Sequence, residues 1–291
     1  MTFWTVAIVA WGLAFSGCAR SHDTATTSGG MTDQEVENLV KRSWPYVALY
    51  NVNNKGAMQY GGWNLCDADT QLKDHTLKLI ARPNNDSLYI TCMLDLRKEP
   101  VILDMPAFDS KYVSLMITGY DHYVNIPMST RQGDFEQPEK MLIFSERTDG
   151  YEKGEPVEGV DRHFEATGDF LSAVFRVMPH ANEPERFERI KDQMQSVELL
   201  TLSELRGEEP KPTSEPEMPP VGKRDTDTFE NNLLEVMQFV FNHTTFDPDS
   251  ELDRKVLAAY EPLGVAPGKD FDPERVATLD GRRVREVAER I

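Results

Sequence analysis

The sequence predicts a mainly β chain with helical flanks, an α+β arrangement in which an antiparallel, jelly-roll-like β-sandwich precedes a C-terminal helical segment. Three observations carry that expectation. Between residues 77 and 178, apolar side chains recur with period two in short runs separated by turn residues, the pattern of half-buried strands in a sandwich or barrel. After residue 182 the apolar positions take helical spacing. Between these regimes, residues 206–224 hold five prolines among charged residues, the composition of a linker or extended strap.

The chain opens on an uncharged apolar run from Phe3 to Phe15. A bilayer span takes ~20 residues, so this run fits the hydrophobic core of a signal peptide instead. Ser16 and Gly17 lead into Cys18, and small residues before a cysteine suit a lipoprotein signal peptidase. Residues 1–17 therefore read as a signal peptide and Cys18 as the lipidated residue, whose acyl chains would hold the protein on a membrane. Ala19 after the cysteine resembles the outer-membrane sorting pattern. The expected address is an outer-membrane lipoprotein facing the periplasm, with a soluble periplasmic protein as the alternative. Residues 18–30 are rich in Thr, Ser and Gly and read as a flexible tether.

Residues 31–205 are expected to form the β-sandwich domain with its flanking helices. Thr32 and Glu35 make a capping box, and Val36, Leu39 and Val40 continue it as a stripe. This helix is expected over about 33–43, ending near Pro45 because the residue before a proline avoids helical dihedrals. Strand patterns follow at Leu77–Ala81, Leu88–Asp95, Val101–Leu103, Val113–Ile117, Met141–Phe144 and Phe170–Met178. Asn182 is positioned to cap a helix carrying Phe187, Ile190 and Met194. After the linker, residues 225–291 form the helical segment. Asp227 reads as an N-cap for the stripe Phe229 to Phe241, a further helix runs from Leu252 to Leu263 with Gly264 past its end, and Asp272-Pro273 opens the last helix.

Acidic residues exceed basic ones by 49 to 31, a net charge of −18. Such a surface repels phosphate backbones, which argues against nucleic-acid binding, and opposes adsorption to anionic lipid, leaving membrane contact to the lipid anchor. Cys66 and Cys92 either pair in an oxidising compartment or stand as two buried thiols; the apolar strand around Cys92 favours the second. The sequence offers no CxxC or His/Cys cluster for a metal, no P-loop, HExxH or dinucleotide fingerprint and no GxSxG elbow. No cofactor or metal is expected.

The segment Arg82-Pro83-Asn84-Asn85-Asp86-Ser87-Leu88-Tyr89, continued by LDLRKEPVILDMPAFDSKYVSLMITGYDHYVNI, resembles the bacterial family catalogued as domain of unknown function 1254. The similarity runs over roughly residues 35 to 290 and includes the GVAPGKDFDP segment. It implies a jelly-roll-like sandwich and assigns no activity. Members of the family typically carry a second domain after this one, so the resemblance implies a partner chain that supplies the missing half, or a homo-oligomer. Positions matching the family pattern are Asn64, Arg82, Pro83, Asn84, Asp86, Tyr89, Asp95, Tyr120, Asn125 and Arg176.

Each candidate carries a structural alternative. Pro83 to Asp86 reads as turn chemistry, or as a polar site with Arg82 binding an anionic group and Asp86 acting as base or ligand. Arg82 and Arg176 are alternatively partners for Asp86 or Asp95 inside the sandwich. Tyr120, Asp121, His122, Tyr123 and Asn125 form the densest polar-aromatic cluster, suited to a sugar or amphiphilic ligand, or to a strand end with surface hydroxyls. Trp63 and Asn64 after Gly61-Gly62 line the same mouth or shape a bulge. The leading function is a small-molecule- or partner-binding sandwich of the cell envelope. The alternatives are a hydrolase or isomerase around Arg82, Asp86 and Tyr89, with Asp95 or His122, and a structural oligomer.

Overall fold

The computed structural model describes residues 30–76, 85–212 and 217–291. The Cys18 segment and the strand expected at 77–81 lie outside the described residues, as do Arg82, Pro83 and Asn84. Among the described residues, nine strands form two sheets. Strands β1 (Leu65–Asp69), β2 (Leu88–Asp95), β3 (Val101–Met105), β4 (Val113–Gly119), β5 (Val124–Ser129), β6 (Glu139–Ser145), β7 (Arg162–Ala166), β8 (Phe170–Val177) and β9 (Glu198–Thr201) are ordered β1-β2-β8-β4-β5 in one sheet and β7-β6-β3-β9 in the other. All pairings are antiparallel except β6 with β7, which run parallel from Met141 opposite Arg162 to Ser145 opposite Ala166. The antiparallel sheets expected from the sequence carry one parallel pairing at that edge, where the long excursion of residues 146–161 returns the chain in the same direction.

The alternation read from sequence places Leu88, Ile90, Cys92 and Leu94 of β2 in one core with Val101, Leu103, Met141 and Ile143 of the facing sheet. Helix α2 (Pro184–Gln195) contributes Ile190 and Met194 to that core. Its N-cap is Glu183, not Asn182. Asn182 instead sits in a turn closed by Glu183 N–H on the carbonyl of His180 at 2.8 Å, and Pro184 takes the first helical position without forfeiting a hydrogen bond. The outer face of the four-stranded sheet buries Ile102, Leu142 and Phe144 under Val157 and Leu202, the latter on helix α3 (Leu202–Leu205).

A second core gathers the helices. Helix α1 runs from Asp33 to Tyr60, with the expected Thr32–Glu35 capping box at its start and Pro45 inside it. The expected stop near Pro45 is overridden because Tyr46, Val47 and Tyr50 continue the apolar face into a buried helical layer. At its far end Gly56 allows close approach to β2: a Cβ there would lie 2.3 Å from the Met93 methyl carbon. Helices α4 (Asp225–Asn231), α5 (Leu233–Asn242), α6 (Glu251–Tyr260) and α7 (Gly281–Ala288) complete the layer. Asp227 is not the N-cap of α4. That position is Arg224, and Asp227 accepts its backbone N–H at 3.0 Å from one turn inside. The segment after Asp272 is a short 3-10 turn over Pro273–Thr278, and α7 restarts under Asp280, whose side chain accepts from Arg283 N–H. Pro219 of the proline-rich strap is buried, and its carbonyl accepts from the Tyr50 hydroxyl at 2.5 Å.

Tyr120 and Phe170, at the end of the five-stranded sheet, belong to the helical core rather than to the sandwich. They mark the seam where the two cores meet, and the polar residues of interest collect along it.

Candidate functional site

The seam opens as a cleft of about 290 Å³, lined by Lys41, Arg42, Pro45 and Tyr46 of α1, Asp121, His122 and Tyr123 of the β4–β5 turn, and Leu252 and Val256 of α6. The turn is shaped locally. His122 N–H bonds the carbonyl of Gly119 at 3.2 Å, and Tyr123 N–H bonds Asp121 Oδ1 at 3.0 Å. His122 takes a left-handed φ of 66°, an uncommon conformation for a non-glycine residue, in which histidine is enriched. Its side chain is thereby left at the exposed rim.

Two buried carboxyl groups lie at the floor, Asp121 in the lining and Asp253 behind the lining Tyr123. Asp121 is 5% exposed and Asp253 is 3% exposed. Asp121 accepts the Thr167 hydroxyl besides Tyr123 N–H. Asp253 accepts the Tyr123 hydroxyl at 2.9 Å and Asp247 N–H at 2.8 Å. Burial pushes the Asp121 carboxyl above the usual carboxylate range, against the lowering effect of the Thr167 and Tyr123 bonds. Burial, then the neighbouring carboxylates, also push the Tyr46 hydroxyl well up, so Tyr46 is a neutral donor at every physiological pH. Asn125 serves as scaffold: its Oδ1 accepts from Thr167 N–H at 2.7 Å and its Nδ2 donates to the Tyr123 carbonyl at 3.0 Å.

Behind the floor lies a second polar cluster. Asp169, 2% exposed, accepts Ser145 Oγ at 2.7 Å and Arg147 Nε at 3.0 Å, and lies 2.8 Å from His243 Nδ1. Burial raises its carboxyl, but the hydrogen bonds from His243, Arg147 and Ser145 outweigh that and hold it below the usual range. This cluster ties β6, β8 and the end of α5 together.

The sequence candidates divide among different places. Asn64 and Asp95 meet: Asn64 Nδ2 donates to the Asp95 carbonyl at 3.2 Å and Asp95 N–H donates to Asn64 Oδ1 at 2.8 Å. Among the described residues the partner of the Asp95 carboxylate is not Arg176 but Arg97, which bonds it through two nitrogens at 2.9 and 2.8 Å. A bidentate pair with a neighbour two residues on closes locally, ahead of any distant arginine. Tyr120 is 1% exposed and its hydroxyl donates to Asn54 Oδ1 at 2.9 Å. Tyr89 stands opposite Arg176 in the ladder, with Arg176 exposed. Asp86 is exposed just before β2. Tyr89 and Asp95 occupy opposite ends of β2, about 20 Å apart at strand rise, so the described members of the Arg82/Asp86/Tyr89 group do not converge with Asp95. Of the candidate set, His122 lines the cleft and Asn125 braces it.

Among the described residues no group of three or more His, Cys, Asp or Glu is arranged to hold a metal ion, and no helix is long and apolar enough to cross a membrane. Cys66 and Cys92 form a disulfide across β1 and β2, with Cα atoms 4.0 Å apart. The apolar surroundings of Cys92 proved compatible with pairing, because Cys66 sits directly opposite in the ladder.

Residues 65–198 match the model of a family described as protein of unknown function (DUF1254). That segment is similar to this family. Over 88% of its length the chain shares the fold of the VPA0106 protein from Vibrio parahaemolyticus, at 22% identity and a TM-score of 0.61. The match spans 58% of that protein's chain. An uncharacterized protein from Burkholderia cenocepacia is 13% identical over 50% of this chain and 42% of its own, with a TM-score of 0.28, too low to compare folds. No curated protein matches. The matched segment supplies Asp121, His122 and Tyr123 to the cleft, whereas Arg42, Tyr46 and Leu252 come from helices outside it. The cleft is thus built where the matched segment meets its flanking helices. Arg42, Tyr46 and Asp253 were not singled out from sequence: Arg42 and Tyr46 flank the expected end of a helix, and Asp253 reads as an ordinary first-turn acid of a helix capped by Ser250.

Proposed function

We propose that this chain is an exported cell-envelope protein that binds a small molecule in the cleft between α1, the β4–β5 turn and α6. The observation that carries the binding reading is the composition of that cleft. Apolar walls from Pro45, Leu252 and Val256 enclose a few polar groups contributed by two separate elements, α1 and the β4–β5 turn, which is how ligand sites are generally built. Asp121 is buried there and burial raises its carboxyl above the usual range, and buried groups with shifted titration concentrate at functional sites.

Export is supported by the Cys66–Cys92 disulfide, since such bonds persist in oxidising compartments, and by the apolar run ending at Cys18. On this reading Cys18 anchors the protein to the outer membrane, facing the periplasm. A Cys18→Ser variant is expected to leave the membrane fraction and lose its acyl chains; equal membrane fractionation of both proteins, with no acyl chain on the wild type, sinks the anchoring.

The binding test is native mass spectrometry of the full chain purified from its own host, with thermal shifts across a metabolite library. Leu252→Trp, at the exposed cleft wall, is expected to abolish any retained mass and any shift. A wild-type protein that retains nothing and responds to no compound contradicts the reading, as does a retained mass that Leu252→Trp leaves unchanged.

A further inference from the structure

We propose that the ligand of this cleft carries a carboxylate, received by the Arg42 guanidinium and the Tyr46 hydroxyl. The inference rests on the small-molecule reading above and narrows it to a chemical class.

The cleft holds an unmet hydrogen-bond donor. Charged groups along the cleft have partners with one exception among the described residues. Lys41 is paired with Glu37, and Asp121 and Asp253 accept two donors each. Arg42 makes no hydrogen bond or ion pair among the described residues, and its Nε is buried without an acceptor. Its electrostatic neighbour Glu251 is already bonded to Lys255. A guanidinium presents five donors in a rigid fork that matches a carboxylate, and leaving one partly buried and unmatched is costly.

Tyr46 stands one turn further along α1. It lines the same cleft, and its hydroxyl has no hydrogen-bond partner among the described residues, although Asp121, Asp253 and Tyr123 are close enough to act on it electrostatically. Two donors, a cation with a buried nitrogen that lacks an acceptor and a neutral hydroxyl, thus lie a turn apart on α1 and line one cavity. Their common complement is an anionic oxygen pair. The floor carboxylates do not compete for this role, because each is already engaged by donors from its own surroundings. The apolar walls of Pro45, Leu252 and Val256 then receive the body of the ligand, and the modest volume limits it to a small organic acid.

The test uses the full chain and isothermal titration with benzoate, octanoate and 3-hydroxybutyrate, each beside its neutral amide, and with phenyl phosphate as a second anion. At least one carboxylate is expected to bind tighter than its amide by roughly ten- to hundredfold, the scale of a charge-assisted hydrogen bond. Arg42→Gln should remove that preference while leaving amide binding in place, and Tyr46→Phe should weaken the carboxylate several-fold. Circular dichroism melts of both variants establish that they remain folded. Carboxylate and amide binding alike, or phosphate binding in preference, overturns the proposal and leaves the cleft as a ligand site. A carboxylate preference that survives Arg42→Gln and disappears in Leu252→Trp overturns only the assignment to Arg42. No binding by any carboxylate overturns the class.

Discussion

The Nδ1 nitrogen of His243 lies 2.8 Å from the buried Oδ2 of Asp169, joining the end of α5 to the start of β8. The carboxylate is held ionised and accepts only, so Nδ1 carries the hydrogen. Around it the backbones also pair: Asp169 N–H bonds the His243 carbonyl at 3.0 Å and Thr245 N–H bonds the Thr167 carbonyl at 2.6 Å. Sandwich and helical layer are therefore locked at one point, directly behind the cleft floor. Asp169→Asn is expected to destabilise the fold by about 2–4 kcal/mol, because Arg147 and His243 lose their shared acceptor. The expected coupling to His243→Ala in a double-mutant cycle is non-zero; additive single effects in urea unfolding would show that the pair contributes nothing as a pair. Because the folded carboxyl lies below its unfolded value of about 3.9, its contribution is present above that pH and is lost as pH falls toward the folded value. Asp169→Asn should flatten that acid arm.

Asp121 has the opposite sign. Its folded carboxyl is raised by burial, so the folded state holds a proton more tightly than the unfolded chain. Stability is expected to fall as pH rises from about 4, the unfolded value, through the folded one, and to level off beyond it. Asp121→Asn should remove this decline while Asp169→Asn leaves it intact. Unfolding free energies measured from pH 3 to 8 for the wild type and both variants separate the two groups; an unchanged profile in Asp121→Asn defeats the assignment.

The disulfide closes a segment of 26 residues between Cys66 and Cys92. Chain-entropy reasoning gives about 3.5 kcal/mol for a loop of that length. A Cys66→Ser/Cys92→Ser double variant is expected to lose about 2–4 kcal/mol and to match the reduced wild type in urea midpoint. A loss under about 1 kcal/mol would mean that the ladder between β1 and β2 holds that edge without the bond.

What the sequence disclosed about the sheets follows burial. Among the described residues, the strands expected from alternation or short apolar runs, β2, β3, β4, β6 and β8, occupy interior positions, and the four not anticipated, β1, β5, β7 and β9, are the edges of the two sheets. Edge strands carry protective polar residues or proline, here Asp67 and Asp69 in β1, Pro127 in β5, and Arg162 and Glu165 in β7, and these obscure a period of two. The cleft was half legible for a related reason. Asp121, His122 and Tyr123 stand together in sequence and announce themselves as a cluster. Arg42 and Tyr46 reach the cleft only because α1 continues past Pro45, which local dihedral preference disfavours and the buried face of Tyr46, Val47 and Tyr50 enforces.

Pro45 is accordingly the residue where stability and site shape separate. It cannot donate to the carbonyl of Lys41, and an interior proline costs ~3 kcal/mol relative to alanine in an isolated helix. Proline returns ~0.4–1 kcal/mol by restricting the unfolded chain, and packing of the ring in the cleft wall offsets part of the remainder. Pro45→Ala is therefore expected to stabilise the fold by about 1–2 kcal/mol, raising the melting temperature by a few degrees. The same change removes a ring from the cleft wall between Arg42 and Tyr46, so ligand affinity should fall while stability rises. A variant that melts lower than the wild type would show that the pyrrolidine ring contributes more through packing than the missing hydrogen bond costs.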